Sequence, residues 1–296
     1  MESLFLQQTV NGIIVGSVYS LIAIGLTMVF GVMRISNFAH GDYSMLGAYT
    51  AVFVLGVFPG WLGWVGSILA AAAGVGAIGL LSERLLFRPL LDRWTDIDII
   101  MVSIGLFLLL ENLAQLLFGA TPRMIQDPFG GASLNLGLFS TSVLRLFCLA
   151  FSCVAIALLQ LFLSRTRMGV AIRATSQNRF AALLMGVDTA MVYALTFSVG
   201  VALAGIGGVL YGTLFAVFPT MGAMPTLKAF AVTIMGGMGS IRGAIFGGFI
   251  LGVAETLGGN YISMHYKNAI GFVIIILVLL IRPSGIFGRR DRKSVV

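Results

Sequence analysis

An all-α, polytopic membrane protein of about eight transmembrane helices is the fold class that this sequence predicts, and three observations predict it. Apolar residues fill 58% of the 296 positions. Charged residues fill only 10%, against about 25% in a soluble domain. The basic residues are also grouped in short gaps between long apolar runs. A long helix with apolar sides is stable where its outside faces lipid, because the helix satisfies its own backbone groups there. Two cysteines are too few for a disulfide scaffold, and the chain is too hydrophobic for disorder. A net charge of +7 is compatible with nucleic acid, but the placement of the basic residues argues against it.

Apolar runs cover residues 6–33, 43–57, 61–81, 97–118, 143–163 and 189–218. A further block, 227–257, is broken by glycine, and a last run covers 269–281. At about 20 residues per crossing these give about eight spans. The first lacks a basic leader, so it reads as a retained helix rather than a signal peptide. Cys148 and Cys153 lie five apart within one run, with no histidine near, and read as packing residues rather than a metal or redox pair.

Orientation follows the basic clusters. Arg84, Arg88 and Arg93 form one, Arg165, Arg167, Arg173 and Arg179 a second, and Arg282, Arg289, Arg290, Arg292 and Lys293 a third. The positive-inside bias places all three in the cytoplasm, so the C-terminus is expected there and the N-terminus outside. The loop 119–141 carries only Arg123 and is expected outside, as are Trp61 and Trp64 in an interfacial belt.

Two segments interrupt this pattern. In MRISNFAHGDYSMLGAY the residues Asn37, His40 and Asp42 fall between two apolar runs with almost no loop. Polar backbone at membrane depth is tolerated where it lines a cavity or is buried in protein. Two readings stand for Asp42: a cap on the next helix, where a carboxylate meets the positive helix end, or a place on a transport path. His40 reads as a ligand or a proton carrier, although one His beside one Asp makes a poor metal site.

The second interruption, GGMGSIRGAIFGGFILG (236–252), places Gly239, Gly243 and Gly247 four residues apart, as are Gly248 and Gly252. This spacing predicts a flat helical stripe for close packing. Arg242 and Glu255 lie in the same region, and intramembrane charges are usually paired or face a wet cavity. Residues 226–240 are expected as a half-helix that turns at the glycines and continues over 241–257. Glu111, inside another apolar run, reads as a path residue or, preferably, as a neutral group hydrogen-bonded in a helix contact.

No Walker A sequence is present, since Lys228, Lys267 and Lys293 do not follow the required glycines. Gly74, Gly76 and Gly79 match a dinucleotide spacing, but within an apolar span with no strand before it. No serine sits in a GxSxG elbow. Residues 164–188 are too long for a turn and predict two short helices, near 169–175 and 178–185, ending at Gly186. Ala181, Ala182, Leu183 and Leu184 give the second an apolar surface, which suits either a protein partner or a membrane-surface anchor.

The chain resembles the permease subunits of branched-chain amino-acid ABC importers. The resemblance rests on Asn11, Gly12 and Gly16, on GVMRISNFAHGDYSMLGAY (31–49), and on Gly105 with Glu111 and Asn112. It continues through 169–188, AGIGGVL (204–210), 236–255 and RPSGIFG (282–288). It implies a single transmembrane permease domain over 1–296, in a bacterial inner membrane, importing branched-chain or related amino acids by alternating access. It implies three kinds of partner besides the lipid bilayer: a second permease subunit, usually a paralogue; two cytoplasmic ATP-binding subunits that hold the ATP and magnesium this chain does not; and a periplasmic substrate-binding protein. This chain would then be no enzyme and need no cofactor. Arg173, Ala174, Asn178, Ala181 and Gly186 match the family's ATPase-coupling pattern. Asn37, His40, Asp42, Arg242 and Glu255 are the candidates for the translocation pathway, and Gly239, Gly243 and Gly247 for helix packing. Urea or a short amide is the alternative substrate, and a self-contained secondary transporter or channel the alternative function.

Overall fold

The computed structural model describes residues 2–90, 95–135 and 140–288, without the side chains of residues 2, 3 and 96. Arg93, Arg289, Arg290, Arg292 and Lys293 of the basic clusters lie outside them. Among the described residues, seven helices are long and apolar enough to cross a membrane. They are α1 (Glu2–Met33), α3 (Trp61–Ser82), α4 (Asp96–Phe118), α5 (Val143–Arg165), α8 (Thr189–Leu214), α10 (Ile241–Tyr261) and α11 (Lys267–Ile281), the last reaching 18 residues with the 3-10 turn Met264–Tyr266 before it. The remaining helices are α2 (His40–Val57), the short α6 (Arg167–Gln177) and α7 (Arg179–Leu184), and α9 (Ala223–Gly236). About eight spans are expected; the run at 43–57 forms α2, which is not among the seven, and α9 is the expected half-helix, its 14 residues too few to cross. A small antiparallel pair, β1 (Ser133–Asn135) with β2 (Ser140–Ser142), was not legible in the sequence, because three-residue strands carry no periodicity.

The core is built on α1, α8 and α10. From Gly16 to Val29 every residue of α1 is buried, so this helix runs through the bundle rather than along its edge. Its partner α10 runs antiparallel to it. A side chain at Gly252 would strike the Gly16 backbone at 2.4 Å, and one at Gly16 would strike the Gly248 carbonyl at 2.8 Å. Glycine is needed on both sides because the backbones themselves are in contact.

The glycine stripe expected on α10 is divided. Gly243 and Gly247 face α9, where they meet Gly236 and Val232. Gly248 and Gly252 face α1. Gly239 is a correction: it precedes the N-cap Ser240, has φ +82°, and sits in the α9–α10 turn against Gly31 rather than on a helical face. Four-residue spacing does not reveal where a helix begins, and here the turn comes first.

The C-terminal residues 282–288 fold back under α9. Ile286 N donates to Met235 O at 2.9 Å and Phe287 N to Gly236 O at 3.1 Å. These bonds satisfy carbonyls that a helix ending inside the bundle would otherwise leave free.

Candidate functional site

The first interruption turns back into the bundle, where it meets the start of α9 rather than the glycine-rich second interruption. After α1 ends at Met33, Arg34 adopts φ +57° and the chain runs back along α1. His40 Nε2 reaches Ile22 O at 3.0 Å, eleven residues up that helix. The segment after α8 leads to it through Val217, whose backbone exchanges two hydrogen bonds of 2.8 Å with Arg123. A 3-10 turn, Pro219–Gly222, then leads into α9. Gly41 N donates to Thr226 Oγ1 at 2.9 Å, and Gly222 lies against Asp42 so closely that a β-carbon there would be 2.4 Å from its Oδ1. The N-termini of α2 and α9 therefore abut in the interior, and both direct their positive ends at Asp42.

Around this junction several buried polar atoms have no hydrogen-bond partner among the described residues. They are Asn37 Nδ2, His40 Nδ1, both oxygens of Asp42, and the hydroxyls of Tyr43 and Tyr49. Asn37 Oδ1 accepts from Ala39 N at 3.1 Å, so that side chain shapes the turn. The capping bond expected of Asp42 is not made: neither oxygen reaches a backbone N–H, although Asp42 sits in the first turn of α2. A buried polar group is normally hydrogen-bonded, so this cluster has unused capacity.

Glu255 belongs to a second cluster. It forms an ion pair with Lys228 of α9 and accepts from Tyr19 Oη at 3.3 Å. Lys228 Nζ also donates to Asn268 Oδ1 at 3.2 Å and lies 5.8 Å from the Phe272 ring centre. Sequence reasoning missed Lys228 and Tyr19 as partners. The one available signal was a lone lysine in a short apolar segment, which needs a counter-charge.

Arg242 joins neither cluster. It is exposed at the start of α10, in a cleft of about 330 Å³ that also holds Gln160, Ser164, Arg173 and Ser176. Of the two expected settings for such a charge, a partner or an open cavity, it has the cleft. Glu111 is half-buried on α4, and its carboxylate makes no hydrogen bond to a described residue, against the preferred reading.

The segment 164–188 is a chain of capped helices. Thr166 Oγ1 caps α6 at Gly169 N (2.9 Å), Asn178 Oδ1 caps α7 at Ala181 N (3.0 Å), and Asp188 Oδ1 caps α8 at Ala190 N and Met191 N. Gly186, φ +81°, ends α7. Each cap satisfies orphan N–H groups and fixes an entry angle. Gly169 lets α6 pack back on the last turn of α5, with Leu163 O 2.4 Å from the place of a β-carbon. Arg173, Asn178 and Ala181 are exposed and Ala174 half-buried. Ala182 turns inward, so the apolar surface differs from the expected one. It consists of Phe180 (68% exposed), Leu183, Leu184 (70%) and Met185 (84%). Beside it, Arg88 grips Glu83 through two bonds of 3.1 and 3.2 Å and donates to Ala190 O, tying the end of α3 to α8.

Residues 8–279 match the family model described as branched-chain amino acid transport system, permease component. The chain belongs to this permease family. It is 39% identical to the high-affinity branched-chain amino acid transport system permease protein LivH of Escherichia coli K12, over 98% of each chain. It is 37% identical to the corresponding permease protein BraD of Pseudomonas aeruginosa, again over 98% of each. A probable branched-chain amino acid transport permease of Methanocaldococcus jannaschii is 32% identical over 94% of this permease and 91% of the relative. The chain is a multi-span membrane permease. The junction, the ion-paired cluster and the α6–α7 shelf are its chemically distinctive parts.

Proposed function

We propose that this permease is the membrane subunit of an ATP-driven importer of branched-chain or related amino acids, set in a bacterial inner membrane. One observation carries the reading. The shelf formed by α6 and α7 is rigidly capped at three points and presents four large apolar side chains beside a cluster of arginines. A rigid, exposed apolar element at one end of a membrane bundle suits force transfer from a soluble partner better than a floppy loop does. That end would be cytoplasmic, as the positive-inside bias requires. Arg173, Ala174, Asn178, Ala181 and Gly186 would form the seat of the ATPase subunits, which hold ATP and magnesium; this chain would need no cofactor of its own. A second permease subunit, a paralogue, and a periplasmic substrate-binding protein would complete the assembly around this one domain, 1–296. Asn37, His40, Asp42 and Glu255 would line the path, with Arg242 at its inner mouth. Alternating access would move the half-helices about the junction.

The test is co-purification from membranes with the ATPase subunits. They should follow the wild-type chain and be lost from a Phe180→Asp/Leu184→Asp variant that remains folded, with amino-acid uptake lost in parallel. Retention of both in the variant would overturn the reading.

The unpartnered Asp42 favours a second reading, a secondary transporter, because buried carboxylates in membranes often carry protons. Uptake by this chain alone in vesicles, driven by an ion gradient, would establish it.

A further inference from the structure

At the end of the bundle opposite α6 and α7, a chamber of about 270 Å³ opens between α1, α5, α8, α10 and α11. Glu255 forms its floor, and Arg145 and Lys267 stand in its walls. The charges around it do not balance. Glu255 is already committed to Lys228. The Arg145 guanidinium donates to a neutral partner, Asn11 Oδ1, at 2.7 Å. Lys267 Nζ has no hydrogen-bond partner among the described residues and rests 5.8 Å from the Phe215 ring centre. Asp127, in the loop at the same end, uses its two oxygens on the backbone N–H groups of Phe129 and Gly131. Among the described residues Glu255 is thus the one carboxylate of the lining, set against Lys228, Lys267 and Arg145, so cations are in excess around a partly enclosed space, where Coulomb forces are stronger than in open water.

The remaining lining completes a pattern. Ile14, Leu214 and Phe215 supply apolar wall. Glu255 Oε2 accepts only from Tyr19 in this structure, at 3.3 Å, and a carboxylate has about four acceptor sites, so it retains room for a further donor. We propose that this chamber binds a zwitterionic α-amino acid with an aliphatic side chain. Lys267 and Arg145 take its carboxylate, Glu255 takes its ammonium group, and the apolar wall takes the side chain. Few polar groups placed on an apolar wall are the usual make-up of a small-molecule site. This inference rests on the permease reading and gives that reading a place for its substrate. It also assigns work to Lys267 and Arg145, which sequence reasoning left unassigned.

The experiment measures radiolabelled leucine binding to the assembled importer in lipid nanodiscs, without the binding protein. Wild type should bind leucine saturably. Leucinol, which lacks the carboxylate, and isovalerate, which lacks the ammonium, should each compete at least about tenfold more weakly, the loss expected for one charged hydrogen bond. Lys267→Gln and Arg145→Gln should each weaken leucine binding about tenfold. Lys267→Arg should restore it, and ATP hydrolysis stimulated by the loaded binding protein should persist in all variants, which separates a lost site from a lost fold. No saturable binding to wild type, leucinol competing as well as leucine, or wild-type affinity in the Lys267→Gln/Arg145→Gln double variant would overturn the chamber. Wild-type uptake of leucine that survives this double variant would sink the chamber and leave the permease reading standing. Absence of ATP-dependent amino-acid uptake by the wild-type assembly would sink the permease reading itself.

Discussion

Asp42 and Glu255 are two carboxylates buried to 0% exposure in helices of one bundle, and the fold treats them in opposite ways. Glu255 is surrounded by donors: Lys228 on α9 and Tyr19 on α1 both reach it. Asp42 has none among the described residues, although it lies only at the other side of α9, beside Gly222 and Thr226. The lone α9 half-helix separates a satisfied polar cluster from an unsatisfied one. Glu255 is held in place by specific bonds, with acceptor room left at Oε2. Asp42 is held by packing and the positive ends of two helices, and remains available to bind or respond.

The largest break in this comparison should come from Lys228→Met. It leaves Glu255 buried without its counter-charge, which should destabilise the protein by about 3–5 kcal/mol. Thermal unfolding of the purified chain in detergent measures this, and Lys228→Met/Glu255→Met should recover most of the loss. A smaller effect should follow from Gly208→Ala, whose new methyl would lie 1.7 Å from Ser44 O and push α2 off α8. Overpacking of this kind costs about 1–3 kcal/mol. The same change at Gly74, where nothing lies within 4 Å, should be neutral or slightly stabilising. The smallest effect on stability should be that of Asp42→Asn. It keeps the shape and removes no hydrogen bond made by the side chain, so the change should stay below about 1 kcal/mol. An Asp42→Asn variant as unstable as Lys228→Met would erase the contrast. A stable variant that loses uptake would sharpen it, by separating the role of Asp42 from folding.

Much of the bundle was legible beforehand because a membrane helix states itself in composition and length. The seven crossings, the half-helix near 226–240 and the two short helices in 164–188 followed from apolar runs and cap residues. Their edges shifted: α9 starts at Ala223 and α7 ends at Leu184, since hydropathy changes more gradually than backbone geometry does. The residues of the two breaks were visible as polar positions in apolar surroundings. Their partners were not, because Glu255 and Lys228 lie 27 positions apart on different helices, and Gly41 and Thr226 lie 185 apart.

The sequence by itself determined that this chain lives in lipid, where its helices run, which segments are interrupted and which end carries the capped shelf. Each of these depends on local chemistry: transfer of side chains from water, capping of N–H groups, and the positions glycine permits. The tertiary structure alone decided that the first interruption meets the start of α9, that Arg242 stands in the open while Lys228 is enclosed, and that Arg145 and Lys267 share one chamber. Those facts depend on how helices distant in the chain are brought side by side, and no local pattern encodes the pairing of charges across that space.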